Sequence, residues 1–253
     1  LSTKDRQSSI LQALQAGSRV RAGELAARFG VSEDTIRRDL RNLADHGLIR
    51  RVYGGAVPQT PVADTFAGRT GQSVEAKNAI VLEALKLIKP GQTILLDAGT
   101  TGAALAASLP GGMPLTVVTH SLPAASALAG KPMIEVIVLG GKLMPESVAT
   151  GGAEVVAGYG RCHADLCFLG VASVDSEIGL GVFKHEDAEV KRAMLGAAAT
   201  VIALASAEKL GTAAPFLIGP VSVLDQLISE ASAPDDQIAL IRAKEVIVTI
   251  AHA

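Results

Sequence analysis

VSEDTIRRDLRNLADHGLIRRVYGGA, residues 31–56, joins a capped amphipathic helix to a basic extended hairpin. Ser32 precedes the helical pattern, and Glu33 and Asp34 place negative charge in the first turn, where it suits the helix dipole. Ile36, Leu40 and Leu43 recur at i, i+4 and i+7 and mark one apolar face. Thr35, Arg37, Arg38 and Arg41 take the opposite face, with hydroxyl and long cationic groups that reach phosphates and base edges. Gly47 stops the helix, Leu48 and Ile49 begin an extended piece, Arg50 and Arg51 charge it, and Gly54-Gly55 supplies a tight turn. The pattern predicts a recognition helix over 32–46 followed by a basic β-wing.

Upstream, Ile10, Leu11 and Leu14 stripe a helix over 3–16 that Gly17 ends, and Arg19-Val20-Arg21 is a short extended piece. A second helix over 24–29 packs through Leu25, Ala26 and Phe29, and Gly30 makes the turn into the third. Helix, helix, glycine turn, helix, basic hairpin is the order of a winged helix-turn-helix. A plain three-helix bundle explains neither the arginine cluster nor Gly54-Gly55. The expected partner is double-stranded DNA, contacted by Ser32, Thr35, Arg37, Arg38 and Arg41 from the helix and by Arg50, Arg51 and Tyr53 from the wing.

Charge agrees. Residues 1–58 hold ten Lys/Arg against six Asp/Glu, net +4, whereas the remainder holds thirteen against nineteen, net −6. A basic head on an acidic body steers the head toward duplex DNA. The chain has no Trp and only seven Phe and Tyr, which argues against single-strand binding by aromatic stacking. No apolar run approaches the roughly 18–20 residues of a membrane span, and the N-terminus is polar without a signal-peptide core, so a cytoplasmic location without membrane partners is expected. Cys162 and Cys167 make no disulfide framework. With His163 they lack both a fourth ligand and zinc spacing, and Cys167 lies in an apolar run, so neither a metal nor a cofactor is expected.

PQTPVADTFAGRTGQS (58–73) is rich in Pro, Gly, Thr and Gln and reads as a linker. A helix follows over 74–88. Seven apolar runs then alternate with helices: TILLD (93–97), LTVVT (115–119), IEVIVLG (134–140), ADLCFLGVA (164–172), TVIALA (200–205), VLDQLIS (223–229) and EVIVTIA (245–251). Such runs imply a mostly parallel sheet covered on both faces. The expected class is therefore α/β, with a winged helix-turn-helix over 1–58, a linker over 59–73 and an effector-binding α/β domain over 74–253.

In open α/β sheets ligands bind at the carboxyl ends of the strands. Asp97-Ala98-Gly99-Thr100-Thr101 follows a buried strand and opens a helix. Its free N–H groups and hydroxyls suit a phosphate, and Asp97 suits sugar hydroxyls; an ordinary turn and N-cap is the equal alternative. His120-Ser121 either donate to ligand oxygens or form an N-cap beside a solvated histidine. Gly140-Gly141-Lys142 either brings backbone and a cation to a ligand or is a plain turn with a surface lysine. Asp165 caps or orients a loop, with a ligand contact as the alternative.

ELAARFGVSEDTIRRDLRNLADHGLIRRVYGGA (24–56) resembles the N-terminal signature of the DeoR family of bacterial transcriptional regulators. The resemblance implies a body like the ribose-5-phosphate isomerase and CoA-transferase-like folds, with a sugar phosphate bound at the turn of Asp97, Gly99, Thr100 and Thr101. It places Asp187 and Glu189 near the pocket mouth and aligns SAEK (206–209) with a segment usually reading Asp-x-Ser-Lys, so that Lys209 stands as the ligand cation while Ser206 replaces the aspartate. The family more often has Asn where this chain has His120. The effector set expected is therefore Asp97, Gly99, Thr100, Thr101, His120, Ser121, Gly141, Lys142, Glu189 and Lys209. The implied function is a homodimeric or homotetrameric repressor of carbohydrate catabolic genes, released from operator DNA by a phosphorylated sugar or related sugar derivative. The alternative is a sugar-phosphate isomerase with a DNA-binding head, for which Asp97, Glu186 and Asp187 are the candidate bases; a third reading is a protein–protein adaptor. No catalytic residues are expected under the first.

Overall fold

A computed structural model of the chain describes residues 2–15, 19–63 and 65–252. Thr3–Gln15 forms α1, Val20–Arg21 β1, Ala22–Phe29 α2, Glu33–Asp45 α3, and Ile49–Val52 and Gly55–Pro58 the antiparallel hairpin β2–β3. β1 pairs with the other side of β3 to complete a three-stranded wing sheet. Gly17, read as the end of the first helix, lies outside the described residues.

Local chemistry sets this geometry. α2 ends at Gly30, whose φ of 64° is left-handed and whose N–H closes back onto Ala26 and Ala27. Ser32 caps α3, its Oγ accepting the Thr35 N–H at 3.2 Å. The two wing glycines have different tasks: Gly54, at φ 75°, makes the turn, whereas a side chain on Gly55 would collide with the Val20 carbonyl of β1. Ile10, Leu14, Leu25, Ile36, Leu40, Leu43 and Ile49 close one small core. Asp39 shares the buried face of α3 and was not singled out by periodicity. Arg6 Nε donates to its Oδ2 at 2.5 Å and Gln7 Nε2 to its Oδ1 at 3.3 Å, tying α1 to α3.

The body contains α4 (Phe66–Thr70), α5 (Val74–Leu85), β4 (Thr93–Leu96), α6 (Thr100–Ser108), β5 (Leu115–Thr119), α7 (Leu122–Leu128) and β6 (Ile134–Val138). There follow β7 (Lys142–Met144), β8 (Ala149–Gly151), α8 (Ala153–Tyr159), β9 (Ala164–Gly170), β10 (Ser173–Asp175), β11 (Gly179–Val182) and α9 (His185–Leu195). The chain closes with β12 (Ala198–Leu204), β13 (Phe216–Gly219), β14 (Gln226–Glu230), α10 (Asp235–Arg242) and β15 (Ile247–Ala251). The seven apolar runs supply the seven strands of one sheet, ordered β15-β14-β12-β9-β4-β5-β6 with every neighbouring pair parallel. In the body, the antiparallel strand pairs among the described residues are the β7–β8 hairpin and those of the β10-β11-β13 sheet outside it.

Alternation divides the core into two layers. Ile94 and Leu96 face one layer, closed by α5, α6 and α7; Leu95 faces the other, closed by α8, α9 and α10. From β4 the chain steps to β5 and β6 on one side, then crosses to β9 and continues outward through β12, β14 and β15. The order therefore reverses between β4 and β9, and their carboxyl ends flank the crevice where such sheets bind ligands. The polar stretch read as a linker is itself partly anchored. Thr60 Oγ1 donates to the Ala172 carbonyl at 2.8 Å, Val62 is buried, and Thr65 caps α4 by accepting the Gly68 N–H at 3.1 Å.

Because both members of the Arg6–Asp39 pair are buried, Asp39→Ala leaves a cation without its partner. It should lower the stability of the head by about 3 kcal/mol, and replacing both residues with apolar ones should recover much of the loss. Chemical denaturation of the single and double variants measures both effects.

Candidate functional site

A cavity of about 440 Å³ lies at the reversal between β4 and β9. Its wall is built by the start of α6, the residues following β9, the β7–β8 hairpin, the start of α9, residues 208–209 and the anchored stretch around α4. Gly99, Thr100, Thr101, Lys142, Asp187 and Lys209, all singled out in the sequence, stand on this wall. Gly99 has φ 131°, outside the range of other residues, and a side chain on Gly102 would collide with the Asp97 carbonyl. Glycine at both positions lets α6 start directly over the end of β4. Gly99 at the N-cap offers no side chain to α6, so among the described residues its first N–H groups remain available to an anion.

Asp97, His120, Ser121, Gly141 and Glu189 lie off the wall. Asp97 is buried behind it: Oδ1 accepts the Ala98 N–H at 2.8 Å, and Oδ2 accepts the Gly170 N–H at 2.6 Å together with the Lys191 ammonium. It thus pins β4 to β9. His120 is neither solvated nor on the cavity; it is fully buried, edge-on to Tyr159, with Nδ1 2.8 Å from the tyrosine hydroxyl and Nε2 3.7 Å from Asp97 Oδ1. Burial, with Lys191 adding, pushes its pKa down to about 3, so the ring is neutral. Ser121 is the N-cap of α7, accepting the Ala124 N–H at 3.3 Å. Gly141 permits close approach to the Gly151 carbonyl, and Glu189 binds Arg192 on the outer side of α9. Asp165 accepts the Thr93 N–H at 2.7 Å and so orients the entry to β4. Cys167 is a core residue, its thiol pushed up first by burial.

Lys191 is the central residue that sequence reasoning missed. It bonds Asp97, lies 3.3 Å from Asp187 Oδ1, and is itself buried although it reaches the cavity wall. Burial alone would lower its pKa, but Asp187 and Asp97 outweigh that and the net shift is upward. Asp97, His120 and Asp187 bring their ligating atoms within 4.8 Å of one another, a set able to hold a cation. The Lys191 ammonium supplies the positive charge between the two carboxylates. The available signal was a lysine four residues after an aspartate on the apolar side of a helix. Lys77 is similar: it lies among buried residues of α5, and its ammonium caps the end of α4 through the carbonyls of Arg69 (2.6 Å) and Gln72.

Six Lys/Arg and four Asp/Glu line the cavity, so the wall favours an anion. Lys209 is buried, and its pKa is lowered to about 8 by burial and then by Arg69, Lys77 and Lys191, with Glu208 opposing. Ser206 donates to Glu208 Oε1 at 2.7 Å, as does Ser73 at 2.8 Å, which fixes that carboxylate next to Lys209.

On the head, Ser32 serves as cap and its Oγ lies 3.0 Å from the Thr35 hydroxyl. Arg37 is engaged along its own helix by Glu33 (2.8 Å) and Asp34 (3.4 Å). Arg38, Arg41 and Arg51 are exposed and form no ion pair among the described residues. Tyr53 projects fully into solvent from the wing tip. Arg50 is half-buried, its pKa lowered by that burial, and borders with Arg51 a cleft between the wing and residues such as Ile178 and Leu217 of the body.

Two family descriptions match the chain: the DeoR-like helix-turn-helix domain over residues 6–62 and the DeoR C terminal sensor domain over residues 72–231. The HTH-type transcriptional regulator GolR of Listeria innocua is 35% identical over 228 residues, covering 89% of this chain and 90% of that protein. The HTH-type transcriptional repressor GlcR of Bacillus subtilis is 35% identical over 229 residues, 90% and 88% of the two chains. The glycerol-3-phosphate regulon repressor of Escherichia coli is 30% identical over 230 residues, 90% and 91%. Among solved structures, a probable sor operon regulator from Shigella flexneri aligns with a TM-score of 0.39 and 14% identity over 57% of this chain and 80% of that one. Ribose 5-phosphate isomerase A of Methanocaldococcus jannaschii aligns with a TM-score of 0.38 and 18% identity over 53% and 52%.

An anion held by this wall should bind most tightly while Lys209 is protonated and lose affinity as pH rises through about 8. Calorimetric titration with sugar phosphates from neutral to alkaline pH tests this, and Lys209→Met should bind more weakly with that alkaline fall removed.

Proposed function

The chain belongs to the DeoR family, and from that premise we propose that it is a DNA-binding transcriptional repressor of carbohydrate genes whose body senses a sugar phosphate. The observation that carries the proposal is the exposed, unpaired state of Arg38 and Arg41 on a capped α3, in a chain whose body opens an anion-favouring cavity at its sheet reversal. In this reading α3 enters the major groove, with Arg38 and Arg41 at base edges or phosphates and Arg51 and Tyr53 at the backbone beside the wing. Ser32 and Arg37 act mainly on the helix itself, holding its first turn. A dimer or tetramer places successive α3 helices along the operator. No helix among the described residues is long and apolar enough to cross a membrane; the proposed location is the cytoplasm, where the operator is.

The phosphate of the ligand sits on the open first turn of α6 near Lys209, and Asp187 and Glu208 offer acceptors to its hydroxyls. Because Val62, Arg69 and Gln72 contribute to the cavity from the stretch that leads to the head, a ligand that prefers one arrangement of this stretch shifts the population competent for DNA. Near-complete switching needs a preference of about 10⁴-fold between the two arrangements.

The repressor reading is preferred to turnover, since two of the three candidate bases are held by one lysine. Asp97 is fully engaged by two N–H groups and Lys191, and Asp187 is paired with the same lysine. Asp97 is thereby not a free carboxylate able to take a proton from a sugar carbon, whereas Asp187, its pKa raised by burial, and Glu186 stand on the cavity wall. The relatives named above are regulators or repressors, which supports the same choice.

Binding of the full chain to a duplex from its own upstream region, titrated with a panel of sugar phosphates at fixed salt, tests the proposal. One compound should release the DNA. Arg38→Ala should weaken the complex by about 1–3 kcal/mol if the side chain reads a guanine, whereas Lys209→Met should bind DNA normally and resist release. Normal affinity in a folded Arg38→Ala variant would remove that residue from the interface, and DNA binding indifferent to every compound would remove the sensor.

A further inference from the structure

The β10–β11 hairpin spans from the cavity to the head. Ala172 and Val182 at its roots stand on the cavity wall. Its tip is held by Asp175, whose Oδ1 accepts the N–H groups of Glu177 at 2.9 Å and Ile178 at 2.8 Å. This presents Glu177 to two arginines of the head: Arg21 Nη2 lies 3.0 Å from Oε1, and Arg19 Nη1 bonds Oε2. Arg19 also donates through Nη2 to the carbonyl of Tyr53 at 3.2 Å, and Arg21 lies opposite Gly55 in the β1–β3 pair. Both cations are therefore at the wing turn, where the head would meet a duplex backbone.

A guanidinium receives a carboxylate and a phosphate in much the same way. The match to the carboxylate is incomplete, because among the described residues Arg19 Nε is buried without an acceptor; a phosphate brings a further oxygen. We propose that Arg19 and Arg21 form a duplex-phosphate site beside the wing, and that Glu177 occupies this site in the arrangement described, so that docking of the hairpin tip and binding of DNA phosphate exclude each other. The inference rests on the DNA-binding reading of the head. Exposed ion pairs of this kind are individually weak, so a polyanion displaces the glutamate. Since the hairpin is rooted in the cavity wall, it also supplies a direct mechanical route from ligand to head.

The test measures binding of the full chain to two duplexes of equal length, one from its own upstream region and one scrambled, across a salt series. Glu177→Gln should tighten both complexes about 3- to 10-fold and steepen their loss with salt, because phosphate contacts are blind to sequence. The Arg19→Ala, Arg21→Ala double variant should weaken both and reduce the salt slope by about two. Adding Glu177→Gln to it should then change nothing. Glu177 is an exposed tip residue, and a melting curve verifies that its variant is folded. Unchanged or weaker binding by Glu177→Gln overturns the proposal, as does tightening that persists without the arginines. If Arg38→Ala loses the preference for the upstream duplex while Glu177→Gln is silent, the DNA reading survives and the masked site does not; if the unaltered chain binds neither duplex, both fall.

Discussion

The body depends on one buried contact, the engagement of Asp97 by the Gly170 N–H and the Lys191 ammonium. A carboxylate at 1% exposure is tolerable only when its charge is balanced and its lone pairs are taken. Here the partners come from β9 and α9, so satisfying the charge joins the two strands at which the sheet order reverses. The cavity is a geometric result of this joint. With Asp97 turned inward, the backbone after it is free to start α6 over the crevice, and Lys191 becomes part of the wall from behind.

Sheet and head solve the same problem with different means. In the sheet, position is set by strand alternation, with Ile94 and Leu96 on one side and Leu95 on the other. In the head, three short helices have little apolar area to share, and a buried ion pair between α1 and α3 supplements it. Between them runs a stretch whose composition suggests a simple tether, yet Thr60, Val62 and α4 attach it to the body and make it part of the cavity. The cavity wall and the connection to the head therefore share residues.

Much of this architecture is legible in the sequence because it rests on short-range signals. The seven apolar runs became the seven strands, and Gly30, Ser32 and Gly54 act where turn and cap chemistry require them. What was not legible rests on pairs distant in sequence. Asp39 reads as one more acid in a charged helix until Arg6 is brought against it; Lys191 reads as a surface lysine until Asp97 is placed beneath it. His120 shows the limit most clearly. A histidine at the end of a strand suggests a ligand donor or a solvated ring, and only the packing of α8 reveals that Tyr159 covers it. Residues such as Asp97 and Ser121, sensible as ligand groups by position, turn out to spend their oxygens on backbone N–H groups.

The division of labour on α3 has an evolutionary consequence. Ile36, Asp39, Leu40 and Leu43 hold the helix in the head, and Ser32 and Arg37 steady its first turn. Arg38 and Arg41 carry none of that duty. Exchanges at such surface positions usually change stability by no more than about 0.5 kcal/mol. In the proposed DNA-binding reading, the preference for one operator over another can therefore drift, duplicate and diverge with almost no folding penalty, while the body stays under the separate constraint of its buried charges.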